Sequence, residues 1–134
     1  MIVGMAFNHI KKDVIADPLY LAVEQKLLSL GGREMVYMPS SPLVLTAILE
    51  RGQTFDAKGL QCKRGEPSRC HDNVVVLAEK HKGKYQMVHG FGLSPDGLWR
   101  LHSWLIDKHN TVIETTVPRT QYYGIVLPPH AEIQ

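Results

Sequence analysis

A thiol, an imidazole and a carboxylate follow one another along the second half of the chain, at Cys70, His102 and Glu114. Such a set can carry out acyl transfer: the thiolate attacks a carbonyl carbon, the imidazole moves the proton, and the acid orients the imidazole. Because most chains contain these three residue types somewhere, their spacing alone is weakly specific. The elements that carry them decide whether they meet.

Cys70 stands on the first turn of a predicted helix, with Ser68 as the expected N-cap and Gly83 as the end. The face that includes the thiol has helical spacing and consists of Cys70, Val74, Leu77, Ala78 and His81. The free N–H groups and the dipole of a helix N-terminus favour a thiolate, which makes Cys70 a candidate nucleophile. Taken alone, a free cysteine is more often a small packed core residue.

His102 and Glu114 lie in a predicted hairpin, RLHSWLIDKHNTVIETTV. If Asp107 pairs with Thr111, Trp104 faces Glu114, and His102 becomes the diagonal neighbour of Glu114 on the same sheet face. A register slip of one residue would put them on opposite faces. Trp104 shares the face of His102, so it either shields the pair from water or simply packs in the core.

The wider pattern predicts an α+β fold in a single domain over residues 1–134. The N-terminal part (1–60) is predicted to be helical, and Asp17-Pro18 and Ser41-Pro42 begin two helices in it. Residues 2–7 give a weak strand signal, and residues 53–67 have the composition of a loop. The remaining part, 66–127, combines the Cys70 helix with an antiparallel meander. Its predicted strands are Tyr85–Leu93, Leu98–Ile106, Thr111–Val117 and Gln121–Leu127. We therefore expect helices packed on one side of a sheet of about four to five strands.

Residues 66–127 resemble the papain-like cysteine superfamily, and most closely its transglutaminase-like branch. The resemblance lies in a Cys that opens an amphipathic helix, a His-x-Trp strand (His102-Ser103-Trp104) and an acidic strand (Glu114-Thr115-Thr116). The segment VHGFGL also resembles the strand that precedes the His strand there. One departure is that the family usually has Asp where this chain has Glu114.

The resemblance implies a papain-like core in which Cys70 is the nucleophile, His102 the base and Glu114 the orienting acid. It also implies a cysteine hydrolase or acyltransferase (protease, amidase, deamidase or transglutaminase) that acts on a peptide, protein or other amide without a cofactor. The oxyanion donors would be the Cys70 N–H and, as in papain-like enzymes, a side-chain amide from Gln61. A solvated loop residue explains Gln61 more simply.

Two other functions stay open from the sequence. One is a non-catalytic binding module on the same fold, which an open cleft beside Cys70 would distinguish from an enzyme. The other is a metal-binding domain that uses Cys62, Cys70 and a histidine. Its support is weak, because the spacing contains no CxxC or HxxxH pair. Cys62 is otherwise a bystander or a resolving thiol for Cys70.

Composition limits the partners of this 134-residue chain. The formal net charge is +2 and the basic residues are scattered, so we expect no nucleic-acid partner. No apolar run approaches the roughly 20 residues of a membrane span, and the start of the chain lacks the parts of a signal peptide. With only two cysteines, the sequence favours a cytoplasmic protein with free thiols. It does not indicate the oligomeric state.

Overall fold

The computed structural model describes residues 17–128 and has an α+β fold. Its helices are α1 (Pro18–Leu30), α2 (Pro42–Arg51) and α3 (Cys70–Lys80). Its strands are β1 (Glu34–Met35), β2 (Gln53–Phe55), β3 (Gln61–Cys62), β4 (Gln86–Leu93), β5 (Leu98–Ile106), β6 (Val112–Glu114) and β7 (Gln121–Val126). The weak strand signal at residues 2–7 lies outside the described residues.

The first two helices begin where the sequence predicts. The Asp17 carboxylate accepts the Leu19 N–H at 2.9 Å, and proline follows at the first helical position. Ser41 and a proline open α2 in the same way, although the Ser41 side chain makes no capping bond. Among residues 17–128, no helix is both long and apolar enough to cross a bilayer.

The sheet has more strands than the sequence predicts. Seven strands join in one sheet with the order β2-β7-β4-β5-β6-β3, and β1 pairs with β5. The expectation of a purely antiparallel sheet of four to five strands is wrong, because β1 and β3 pair in parallel with β5 and β6. The additional strands β1, β2 and β3 have only two or three residues. They carry no alternating pattern of their own and form by pairing with longer strands.

The sheet curls strongly. In sheet order, β2 and β5 are separated by two strands, which in a flat sheet would hold them about 14 Å apart. Yet the rings of Phe55 on β2 and Trp104 on β5 meet edge to face, with centroids 5.8 Å apart. The curl therefore encloses one face of the sheet, which we call the inner face. Its side chains include Val88, His102, Trp104, Ile106, Val112, Glu114 and Tyr122.

All three helices pack on the other, outer face. Val74 of α3 contacts Leu105 and Ile113 near one end of β5. Helices α1 and α2 bury a larger apolar cluster near the other end, around Trp99 and Tyr123. The prediction of helices on one side of the sheet is thus confirmed.

Two glycines keep the inner face bare beside His102. Gly90 pairs with His102 on one side and with Gly124 on the other. A Cβ at Gly90 would lie 2.2 Å from the Tyr123 carbonyl oxygen, so no other residue fits without a backbone shift. The space left by the missing side chains lets the Tyr122 ring approach the imidazole, with 6.2 Å between ring centroids.

Candidate active site

The β5–β6 hairpin brings His102 and Glu114 together on the inner face. The Asp107 N–H donates to the Thr111 carbonyl at 3.2 Å, and the ladder continues from this pair in the register predicted from the sequence. His102 Nε2 and Glu114 Oε1 are 2.8 Å apart, and the two residues are 2% and 0% exposed. The register prediction is therefore confirmed.

The Glu114 carboxylate receives four hydrogen bonds. Oε1 accepts from His102 Nε2 and from the Tyr122 hydroxyl at 2.7 Å, and Oε2 accepts from both the N–H and the hydroxyl of Thr116 at 3.0 Å. Burial by itself raises the pKa of Glu114, but the bond and charge of His102, with the Tyr122 and Thr116 bonds, outweigh it and hold the pKa below its ordinary value. Glu114 is thus a buried, ionised acceptor.

His102 is held between an acid and a thiol. Since an ionised carboxylate only accepts, Nε2 carries a proton, and Nδ1 is the ring nitrogen that remains available for the interaction with Cys70. Burial alone lowers the pKa of His102. The bonds to Cys70 and Glu114 and the Glu114 charge exceed this effect, and the pKa is raised despite the opposing charge of Arg119. The site therefore favours an imidazolium.

Cys70 occupies the first position of α3, as the sequence predicts, but the cap differs. Ser68 has a left-handed backbone (φ 61°), and Arg69 is the N-cap, with its carbonyl accepting the Asn73 N–H at 2.9 Å. The expectation that Ser68 caps the helix is wrong, because Ser68 precedes the N-cap residue Arg69 and has a left-handed backbone. Cys70 is partly exposed.

The thiol on an outer-face helix reaches an inner-face imidazole at the edge of β5. In an antiparallel ladder, alternate residues direct their backbone groups to the same edge. The Asp107 N–H points toward β6, and Ser103 lies four residues earlier on the same strand, so the Ser103 N–H points toward β6 as well. The described ladder between β5 and β6 ends at Leu105, which leaves that N–H open. This N–H is one of the groups that lower the pKa of the Cys70 thiol.

The surroundings of Cys70 favour the thiolate. Burial by itself raises the pKa of the thiol, but the hydrogen bond and charge of His102, together with the backbone N–H groups of Ser103 and His71, outweigh it. The pKa of Cys70 is lowered as a result. The pKa shifts of Cys70 and His102 run in opposite directions, which is the pattern of a thiolate–imidazolium pair.

Aromatic rings cover the imidazole. Trp104 is fully buried and stacks on His102 with ring centroids 5.8 Å apart and planes at 24°. Tyr122 packs against Trp104 with ring centroids 4.9 Å apart and covers the same side of the imidazole. Trp104 therefore lies where a shield against water would lie, and it packs in the core as well.

Hydrogen bonds hold the loop before Cys70 at both of its ends. Lys63 and Gly65 donate backbone N–H groups to β6 and the residue after it at 2.8 and 2.9 Å. Asn73, in the first turns of α3, accepts the Glu66 N–H at 3.0 Å and donates to the Glu66 carbonyl at 2.8 Å. These bonds fix the approach of the chain to the thiol.

Gln61 and Cys62 lie on β3, which pairs in parallel with β6, so that Cys62 is the cross-strand neighbour of Glu114. Both are exposed on β3, and within residues 17–128 no hydrogen bond joins Gln61 to Cys70. Both cysteines are free thiols. Over the same residues, no three His, Cys, Asp or Glu side chains are grouped so that they could hold a metal ion.

Two surface depressions, of about 300 and 350 Å³, flank β2. Neither is lined by Cys70. The second contains Tyr122, whose hydroxyl bonds to Glu114. The candidate site is therefore identified by the contacts of His102 and Cys70 and not by either depression.

Three contributors to the site were not predicted from the sequence. They are the Tyr122 hydroxyl, the Ser103 N–H and the Arg119 charge. Tyr122 lies on β7, and the curl of the sheet brings its hydroxyl to Glu114. Ser103 contributes its backbone N–H, while its hydroxyl pairs with His89 Nδ1 at 2.8 Å, so the type of this side chain did not signal the contribution.

Comparison of the chain with protein-family models, with curated proteins and with solved structures gives no match.

Proposed function

We propose that this protein is a thiol-dependent acyl-transfer enzyme with a papain-like arrangement of its Cys helix and its His and Glu strands. The observation that carries the proposal is the position of His102, whose Nε2 lies 2.8 Å from the buried Glu114 carboxylate and whose interaction with the Cys70 thiol lowers the pKa of that thiol. A packed core cysteine has no need of an ionised partner. The transglutaminase-like pattern in residues 66–127 supports the same assignment.

The reaction would begin with the Cys70 thiolate. The sulfur attacks the carbonyl carbon of an amide, and the C–N bond breaks as His102 gives its proton to the leaving amine. The acyl group is then a thioester on Cys70. Water or an amine attacks it, His102 takes the proton of that nucleophile, and the thiolate leaves. The product is an acid after hydrolysis or a new amide after transfer.

Charge on the carbonyl oxygen needs hydrogen-bond donors during both attacks. The Cys70 N–H stands at the first helical position, where no carbonyl of the helix can accept it. We assign the oxyanion to this N–H and to the positive end of the α3 dipole. Gln61, exposed on β3 beside β6, is a second candidate donor.

The substrate is a peptide, a protein or another amide. Glu114 and Trp104 position and cover the imidazole and do not touch the substrate. Since the mechanism needs a free thiol, and both cysteines are free, we place the protein in a reducing compartment such as the cytoplasm.

Trapping the acyl-enzyme tests the proposal. We expect p-nitrophenyl acetate to give a burst of nitrophenol and an acetyl adduct on Cys70, which hydroxylamine releases as a thioester. Intact-protein and peptide mass spectrometry locate the adduct. The Cys62→Ala variant should behave like the unmodified protein, whereas Cys70→Ala should show neither burst nor thioester.

The matched thiol Cys62 is the internal control, because it is more exposed than Cys70 and no imidazole of residues 17–128 is bonded to it. An adduct that forms at Cys62 and at Cys70 at similar rates, or no adduct at all, would contradict the enzymatic proposal. The non-catalytic binding module would then be the better account.

A further inference from the structure

Arg119 lies on the inner face beside His102 and Glu114. Its side chain crosses Gly92, where a Cβ would come within 2.7 Å of the Arg119 Cγ. Its backbone N–H donates to the Tyr122 hydroxyl at 3.1 Å, the same hydroxyl that donates to Glu114. The absent side chain at position 92 thus makes room for an arginine next to the site.

The Arg119 guanidinium has no acidic partner within residues 17–128. Its Nε is buried and bonds to no acceptor, and its terminal nitrogen donates only to the Val117 carbonyl. Arg100, two residues before His102 on β5, provides the contrast. It forms a two-point ion pair with Asp96 at 2.9 and 3.2 Å. A half-buried guanidinium with an unsatisfied donor is unfavourable unless an anion completes it.

Without a ligand, the charge of Arg119 disfavours the thiolate–imidazolium pair of Cys70 and His102. Its charge opposes the protonation of His102. An anion on the guanidinium would cancel this repulsion, and would therefore favour the thiolate–imidazolium pair when it binds. A carboxylate suits the planar fork of an arginine better than a neutral amide does.

We propose that the substrate carries a carboxylate near the acyl carbon that Cys70 attacks, and that Arg119 binds this carboxylate. Arg119 is then a specificity-determining residue. The inference rests on the proposed function, since it assigns the substrate class of the same thiol.

Two alkylating reagents that differ only in charge test this inference. N-iodoacetylglycine carries a carboxylate, and N-iodoacetylglycinamide is its neutral analogue. With either one, the thiolate displaces iodide and forms a thioether. In a Cys62→Ala background at constant pH, we expect Arg119→Gln to lower the anionic-to-neutral rate ratio at Cys70 about fivefold, the size of a partly exposed ion pair.

Arg119→Met, which keeps the stem over Gly92, should lower the ratio equally, and Arg119→Lys should retain most of it. Arg100→Gln is the matched control and should leave the ratio unchanged, because Asp96 already neutralises Arg100. Added salt should lower the ratio in the protein with Arg119 intact and much less in Arg119→Met.

An unchanged ratio in Arg119→Gln and Arg119→Met overturns the inference. Failure of the proposed function has a different signature. In that case both reagents follow an ordinary thiol titration, whatever their ratio. Because the ratio compares two reagents on one protein at one pH, it reports the anion site independently of the pKa of Cys70.

Discussion

Glu114→Ala lowers the free energy of unfolding by about 3–5 kcal/mol, the usual result of removing one partner of a buried ion pair. The alanine leaves four donor groups without their acceptor: the His102 Nε2–H, the Tyr122 hydroxyl, the Thr116 N–H and the Thr116 hydroxyl. It also leaves a buried imidazole without the charge that holds its proton. We expect this to be the largest stability effect of any polar substitution in the site.

Urea unfolding followed by tryptophan fluorescence measures this loss, with two variants for comparison. Tyr122→Phe removes one of the four bonds to Glu114 and should lose about 1.5–3 kcal/mol, as for a hydrogen bond to a charged group. Glu79→Ala, at an exposed position of α3, should change stability by no more than about 0.5 kcal/mol. A Glu114→Ala protein as stable as the Glu79→Ala protein would show that the buried carboxylate is not ionised and bonded as described.

The stability that the Glu114–His102 pair contributes depends on pH. The pKa of Glu114 is lowered by folding, so its contribution is present above the unfolded value of about 4.3 and is lost as the pH falls through the folded pKa. The pKa of His102 is raised, so its contribution is fully present below the unfolded value of about 6.5 and is lost as the pH rises through the folded pKa. The destabilisation in Glu114→Ala should be largest between these limits.

His102→Ala moves the pH profile of Cys70 alkylation to higher pH. In a Cys62→Ala background, the iodoacetamide rate should reach its plateau below the ordinary thiol midpoint of about 8.5, because His102 and the N–H groups stabilise the thiolate. Without the imidazole, burial remains and the largest stabilising influence is gone. We therefore expect the midpoint to shift upward by more than about one pH unit.

The midpoint is the informative quantity, since the rate itself changes less. A thiolate of lower pKa is more abundant at neutral pH but is also a weaker nucleophile, and the two effects partly cancel. His81→Ala is the control, because His81 lies at the far end of α3 and packs edge to face with Tyr85. If His102→Ala and His81→Ala give the same midpoint as the parent, Cys70 is an ordinary thiol.

Local sequence patterns predicted the parts of the site that depend on neighbours in the chain. Alternation and turn residues set the β5–β6 register, because the Asp107 carboxylate and the left-handed Asn110 close the turn. Helical spacing placed Cys70 on the first turn of α3. These features arise from contacts within about a dozen residues, and the sequence expresses them directly.

Features that depend on the curl of the sheet escaped prediction. Tyr122 belongs to β7, which is separated from β6 by two strands, and only the curl lets its hydroxyl meet Glu114. The short strands β2 and β3 form because longer strands offer free edges. Arg119 reaches the inner face because position 92 has no side chain. None of these contacts leaves a periodic trace in the sequence.

The most direct test of the central claim is an ultraviolet titration of the Cys70 thiolate. The difference in thiolate absorbance between the Cys62→Ala and Cys62→Ala/Cys70→Ala proteins is recorded against pH, so that all other chromophores cancel. A thiolate–imidazolium pair predicts that the signal is already present at neutral pH and is lost only under acidic conditions. A signal that appears only near the ordinary thiol pKa of about 8.5 would contradict the account.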